Sequence, residues 1–269
     1  MPELPEMETY RNLLLSRLRG QRITHVHIGR ERSLNLPPAE FIQLVQHRTV
    51  VDVKRRAKHL LFQLDTDQVL LLHLMLGGLM YWGTDEDKPD RTVQITLSFG
   101  KDRLYFIGLR LGYLHLHSVE SVRTMLARLG PEPLVPDFGL GQFLKAMEGK
   151  RGRLKTVLTD QAVLAGIGNC YSDEICHAAG LRPDRIVSSL SDQEMASLYD
   201  GMRSVLAEAV SVGGYMEVPL YAGDRLTGGY NERCRVYDRE GEPCPRCGSA
   251  IIRLELASRK TFLCPGCQR

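Results

Sequence analysis

Cys244-Pro-Arg-Cys247 and Cys264-Pro-Gly-Cys267 are two CxxC knuckles with sixteen residues between them. Each CxxC turn presents two thiolates to one ion, and two such turns supply the four soft ligands that close a tetrahedron around Zn²⁺. Ile251 to Leu256 and Lys260 to Leu263 lie between the knuckles as short strand-forming runs, so the end of the chain is expected to fold as a β-hairpin stapled by one structural zinc. With all four ligand positions filled by cysteine, no place is left for a reacting water. Whatever this segment does must come from what the hairpin displays.

The other cysteines, Cys170, Cys176 and Cys234, read as small buried apolar residues rather than as a disulfide framework. Glu3, Glu6, Glu8, Arg11, Arg17 and Arg19 break up the start of the chain, which therefore lacks the apolar core of a secretion signal. The longest apolar runs, such as Val69 to Leu72, are the size of a strand and exclude a membrane-spanning helix. These features place the protein in the cytoplasm. The formal net charge of +3 is too small by itself to require a polyanionic partner. Its distribution says more. Lys54, Arg55, Arg56 and Lys58 form one basic run, Lys150, Arg151, Arg153 and Lys155 a second, and Arg253, Arg259, Lys260 and Arg269 gather at the end of the chain. One such run is ordinarily a solvated surface; three of them, each beside a motif, point to nucleic acid. Arg259 falls near the hairpin turn, where its fork can grip a phosphate.

Apolar residues at roughly helical spacing (Met7, Tyr10, Leu13, Leu14, Leu18) predict a helix over Glu6 to Leu18, with Pro5 suited to its first position. The pattern then changes to short strand-like stretches: Ile23 to Ile28, Thr49 to Val53, His59 to Leu64, Val69 to His73, Val93 to Ser98 and Leu104 to Ile107. The proline-rich stretch Leu129 to Asp137 continues neither a helix nor a central strand and reads as a linker. Beyond it Phe143 to Met147, Lys155 to Leu158, Cys170 to Ala179 and Ser191 to Val210 read as helices. The expected fold class is α+β, with a β-sandwich or barrel-like domain and its N-terminal helix at residues 1–128. The linker covers 129–137, a helical domain 138–232 and the zinc finger 233–269.

Several stretches together carry a resemblance to a known family. Met1-Pro2-Glu3-Leu4-Pro5-Glu6 resembles the opening of formamidopyrimidine-DNA glycosylases, which are related to endonuclease VIII, and whose mature terminus is the proline. Lys54 to Leu61 resembles the family's basic strand, His73 to Gly78 its wedge loop, and Leu129 to Leu134 its interdomain motif. Lys155 to Asp160, Gly166 to Tyr171 and Asp173-Glu174 resemble its helix-two-turn-helix, and Val236 to Gln268 its zinc finger. The likeness runs from end to end of the chain in the family's order.

The resemblance implies a bacterial base-excision glycosylase with strand-nicking lyase activity, monomeric and acting on damaged duplex DNA without any membrane association. Its nucleophile would be Pro2, a secondary amine once Met1 is removed; an α-amine titrates far below a lysine side chain, so a sizeable fraction is uncharged at neutral pH. Glu3 would act as general acid or base, and Glu6, one helical turn along, would position a water or a proton. The resemblance carries Lys58, Asn169 and Arg259 over as phosphate grips from three separate segments. Within the helix-two-turn-helix, Lys155 adds charge, while Gly166 and Gly168 allow backbone amides to approach a phosphate.

In three places the chain departs from the family pattern. Met75 and Leu76 both stand where a single methionine wedge is usual, and Arg110-Leu111 replaces Arg-Phe, so that an aliphatic takes the place of the aromatic that buckles the opposite strand. Gly213 to Tyr221 is bulky and apolar where relatives carry a polar loop that closes over the extruded base. Two further readings follow: a non-catalytic binder of kinked or damaged DNA, or a glycosylase specialised for bulky alkylated or cross-linked bases.

Overall fold

A computed structural model describes residues 1–269. They divide into two compact units: Met1–Pro2, Glu6–Ala127 and Met216–Gly228 form one, and Glu3–Pro5, Arg128–Tyr215 and Gly229–Arg269 form the other.

The first unit is a β-sandwich. Helix α1 (Leu4–Leu18) and a short α2 (Pro38–Val45) flank β1 (His25–Ile28); β2 (Val50–Arg56), β3 (His59–Leu64), β4 (Gln68–His73), β5 (Leu79–Gly83), β6 (Val93–Phe99), β7 (Asp102–Ile107) and β8 (Tyr113–Ser118) follow, then α3 (Val119–Leu126). The strands make two four-stranded antiparallel sheets in the orders β1-β6-β7-β5 and β2-β3-β4-β8. Alternation along β3 turns Leu60, Phe62 and Leu64 toward one face, where they meet Leu97, Leu104 and Phe106 of the other sheet. Met7, Tyr10, Leu14 and Leu18 of α1 complete this core, all essentially fully buried. Burying a side chain of this size stabilises by about 1.5–3 kcal/mol, so the stripe on α1 fixes the helix firmly. Strand β4 is buried on both faces because Val122 of α3 covers Val69 and Leu71 from outside. That is why it reads as an unbroken apolar run rather than an alternating one.

Segment 216–228 clusters with the sheets and not, as its position in the chain implied, with the helical domain expected over 138–232. Leu220 is buried in the sandwich core, Trp82 N–H donates to its carbonyl at 2.6 Å, and the Arg17 guanidinium lies 3.9 Å from the centre of the Tyr221 ring. Asp224 accepts from the backbone amides of Leu220, Leu226 and Thr227, closing the segment on itself.

The second unit holds α4 (Leu140–Met147), α5 (Leu154–Leu158), α6 (Asn169–Ala179), the long α7 (Asp192–Ser211) and a hairpin of β9 (Ile252–Leu256) and β10 (Arg259–Leu263). A Ser191/Glu194 capping box starts α7, and Gly180 in the left-handed region ends α6. Tyr171 and Ile175 of α6 pack with Leu198, Met202 and Leu206 of α7. The hairpin has its own small core of Val236, Ile251 and Phe262 beside Cys244 and Cys264.

The helix predicted over Glu6 to Leu18 starts two residues earlier, and the strand predicted from Ile23 starts at His25. Helices α2 and α3 and strands β5 and β8 were not foreseen. Leu79–Gly83 is buried on both faces and so shows no hydrophobic period of two, whereas Tyr113–Ser118 does alternate, with Leu114 and Leu116 buried and Tyr113, His115 and His117 on the other face.

Those rings form a stripe. His59, His73 and Tyr113 lie in register across three strands, with His115 stacked on Tyr113 at 4.2 Å between centroids. Burial, helped by the charges of His59 and Lys58, pushes His73 down to about 3, and burial beside His117 pushes His115 down to about 4. An unfolded histidine titrates near 6.5, so below that pH the unfolded chain binds the extra protons. The stabilisation is complete above pH ~6.5 and is lost as pH falls toward those folded values. Urea unfolding is expected to show a loss of roughly 1–2 kcal/mol from His73 between pH 7 and pH 5; a His73→Gln variant should flatten that slope.

Candidate nucleic-acid interface and metal centre

Helix α6 opens on Gly168, which has no side chain with which to cap it. The missing acceptor comes from Glu3. Its carboxylate accepts from Gly168 N at 2.5 Å and from Cys170 N at 3.0 Å, the second being the amide that an N-cap side chain ordinarily serves. Leu4 N donates to Gly166 O at 3.0 Å, and a Cβ on Gly166 would sit 2.7 Å from Leu4 Cβ, with φ at +101°. The loop before α6 therefore needs glycine so that Glu3 and Leu4 can lie against it. Pro2, next to the anchored Glu3, is buried, as is Glu6.

This arrangement corrects one expectation. Gly168 N–H is taken by Glu3, and Gly166 N–H is taken by Gln161 Oε1 at 2.9 Å, so neither amide is left for a phosphate. A second correction concerns Lys155. It is 2% exposed, and its ammonium donates to Asp173 Oδ1 at 2.6 Å and to the carbonyls of Asn169 and Lys260 at 3.2 and 3.3 Å. Asp173 Oδ2 accepts from Phe262 N–H. Burial pushes Asp173 up to about 7 even against this lysine. Lys155 is an internal tie between α5, α6 and β10, not a surface charge.

Two acids adjacent in α6 thus anchor the finger, a role that sequence reasoning missed. Asp173 holds β10, and the fully enclosed Glu174 accepts from three successive amides, Arg235, Val236 and Tyr237, at 2.8–2.9 Å. The only signal available was an acidic pair on a helix that is otherwise apolar on that face.

Asn169, the first residue of α6, is half-buried, with Oδ1 enclosed and lacking a donor. Arg259 is exposed and braced by donation to Thr159 Oγ1 at 2.8 Å. It follows a tight turn in which Ala257 and Ser258 both take positive φ, a conformation that ordinary residues adopt at a cost of about 1–2 kcal/mol each. Lys58 is at the tip of the β2–β3 hairpin beside Ala57, also at positive φ, and is 5% exposed. Met75, at φ +52°, precedes Leu76. Three of the six non-glycine residues in the left-handed region, Ala57, Met75 and Ser258, therefore adjoin candidate site residues, which is where local strain tends to be kept.

The loops after β4 and β7 meet backbone to backbone: a Cβ on Gly108 would sit 2.1 Å from Gly77 O, and one on Gly112 2.5 Å from His73 O. With no room between them, the loops turn Leu76 and Leu111 outward. These are the most exposed large apolar side chains of the chain, 63% and 62%, with Arg110 exposed beside Leu111. Met75 is half-buried.

The four knuckle thiols converge within 4.8 Å of one another. Cys244 and Cys267 Sγ are 3.8 Å apart and Cys247 and Cys264 Sγ 3.3 Å, close to the ~3.8 Å edge of a tetrahedron with Zn–S near 2.3 Å. The residues fit Zn²⁺. His177 of α6 brings Nε2 to 3.3 Å from Cys244 Sγ and 3.7 Å from Cys267 Sγ, an outer N–H donor to two ligands. Cys170, Cys176 and Cys234 are buried and unpaired, as expected of small apolar residues. No helix is long and apolar enough to cross a membrane.

Comparison with known proteins gives three family matches: the formamidopyrimidine-DNA glycosylase N-terminal domain over residues 1–113, its H2TH domain over 129–218, and a zinc finger found in FPG and IleRS over 241–269. The formamidopyrimidine-DNA glycosylase of Heliobacterium modesticaldum is 38% identical over 277 residues, all of both chains. That of Listeria innocua is 34% identical, again over all of both chains. Among solved structures, Lactococcus lactis Fpg in complex with abasic-site DNA superposes with a TM-score of 0.92 at 29% identity, covering 99% of each chain. The complex of the same protein with N7-benzyl-Fapy-dG DNA gives 0.92 at 29%, covering 100% of each.

Lys155→Ala, which strands Asp173 in the interior, should destabilise the protein by about 3–5 kcal/mol in denaturant titration, whereas Arg259→Ala should leave the midpoint nearly unchanged and weaken DNA binding. Chelation of the zinc should melt the β9–β10 hairpin, seen as loss of amide protection over 244–267 and of DNA affinity; full protection after verified metal removal would contradict this.

Proposed function

Because the chain belongs to the formamidopyrimidine-DNA glycosylase family, we propose that it excises damaged bases from duplex DNA and then nicks the abasic strand, using Pro2 as nucleophile. The observation that carries this reading is the anchored Glu3, fixed by the two amides that open α6 with Pro2 as its chain neighbour.

Removal of Met1 leaves the proline nitrogen as a secondary amine. Its lone pair attacks C1′; the N–C1′ bond forms as the glycosidic bond breaks, and the base departs with a proton. Opening of the sugar ring gives an iminium, and Glu3 exchanges the protons at the ring oxygen and the leaving group. The iminium acidifies C2′; loss of that proton expels the 3′ phosphate, and a second elimination expels the 5′ phosphate. Glu6 orders a water or a proton near the reacting atoms. Lys58, Asn169 and Arg259 hold backbone phosphates, each on a strained turn or a helix start that fixes its direction. Zinc supplies no chemistry here; it holds the hairpin that presents Arg259.

Leu76 and Leu111 act as the apolar wedge, supported by their exposure and by the glycine contacts behind them, with Arg110 turned to the orphaned base and Met75 giving support. A pocket for bulky or cross-linked bases has less to rest on. Of the apolar residues that motivated it, Leu220 is spent in the sandwich core, Tyr221 under Arg17, and Tyr215 against Tyr171 and Tyr237.

Borohydride should trap a covalent protein–DNA adduct on an abasic duplex with protein lacking Met1. Pro2→Gly, and a form with Met1 retained, should lose at least about tenfold in trapping, equivalent to roughly 1.4 kcal/mol. Tight binding of abasic DNA by trimmed protein without nicking would favour the non-catalytic binder.

A further inference from the structure

Residues 159–168 run from α5 to α6 through turns, and one side chain spans them. Gln161 Nε2 donates to Thr159 O at 2.9 Å and to Ile167 O at 2.8 Å, while Oε1 accepts from Gly166 N at 2.9 Å. A primary amide offers two donor hydrogens and a carbonyl acceptor, so two carbonyls and one N–H are the set it matches, in one orientation only. The backbone carbonyl of Gln161 is used as well, accepting from Gly130 N–H at 2.8 Å. The side chain is thereby held from both its own main chain and its far end.

The two ends that Gln161 joins serve different parts of the site. At one end Thr159 Oγ1 donates to Lys155 O and accepts from Arg259 at 2.8 Å. At the other, Gly166 O holds Leu4 N–H, and the amides of Gly168 and Cys170 hold the Glu3 carboxylate. We propose that Gln161 is a positioning residue for the excision reaction. Its amide sets the spacing between the brace of Arg259 and the platform under Glu3, and so keeps Glu3, with Pro2 beside it in the chain, in register with the phosphate that Arg259 grips. The inference rests on the catalytic reading given above. Under that reading Gln161 touches no reacting atom and acts through Thr159 and Gly166. Its side chain is half-buried, so water can take up the groups it releases, and its loss costs geometry more than stability. Sequence reasoning passed over Gln161 because nothing local marks a glutamine in a turn as the bridge between that turn's ends.

The test is single-turnover borohydride trapping by full-length, zinc-loaded protein lacking Met1, at saturating abasic duplex, comparing wild type with Gln161→Met and Gln161→Glu. Methionine keeps the length and removes all three bonds; glutamate keeps the acceptor but, when ionised, sets a carboxylate against two carbonyls. Both variants should slow trapping at least about tenfold at saturation, with thermal midpoints close to wild type. Protonation returns one donor to glutamate, so the ratio of the Gln161→Glu rate to the wild-type rate should rise as pH falls from about 8 to about 5, while the Gln161→Met ratio stays flat. Arg259→Ala should cost less in Gln161→Met than in wild type, since its brace is already displaced there. Wild-type rates in both variants, a loss that only tracks the unfolded fraction or weaker DNA binding, a Gln161→Glu ratio that does not rise, or full additivity with Arg259→Ala would overturn the proposal. Trapping by wild type with no change in the variants refutes this role alone, whereas no trapping by wild type refutes the catalytic reading.

Discussion

The structure depends on a carboxylate that caps a helix from the other end of the chain. Glu3 supplies to α6 the acceptor that Gly168 cannot, and Gly166 makes the room that this requires. A charged hydrogen bond of this kind contributes about 1.5–3 kcal/mol and is directional, so it does more than add stability. It fixes where the terminal residues lie. A chain terminus is ordinarily among the most mobile parts of a domain; here Glu3 and Leu4 are held by three hydrogen bonds to the backbone of residues 166–170, two accepted by the Glu3 carboxylate and one donated by Leu4 N–H, and Pro2 is their chain neighbour. Preorganisation of this sort is what an amine nucleophile needs if its reaction is to avoid a large ordering cost.

A second set of buried charges extends that order to the finger. Asp173 and Glu174 follow Asn169 along α6 and bind β10 and residues 235–237 through backbone amides, while Lys155 neutralises the first of them. Asn169 and Arg259 thus sit on two elements tied through one polar network, and His177 adds a link to the thiolates. Breaking any one member leaves another buried and unpaired, which is why such networks act as single units.

The zinc ligands, the sandwich strands with an apolar period of two and the stripe on α1 were legible in the sequence because their spacing is set by local geometry. Lys155 was not. A lysine in a basic run reads as solvated, and only the fold brings Asp173 from eighteen residues away to enclose it. Gly168 was read as an open amide because nothing local reveals that Glu3 claims it. The place of Leu220 in the sandwich core depends on a long-range contact with Trp82 that no periodicity encodes.

The most direct test is to reduce the covalent intermediate formed with an abasic duplex, digest it, and locate the sugar remnant by mass spectrometry. The remnant should be on the α-nitrogen of Pro2, in a terminal peptide lacking Met1. A remnant on Lys58 or any other lysine, or a reactive protein that keeps Met1, would contradict the account.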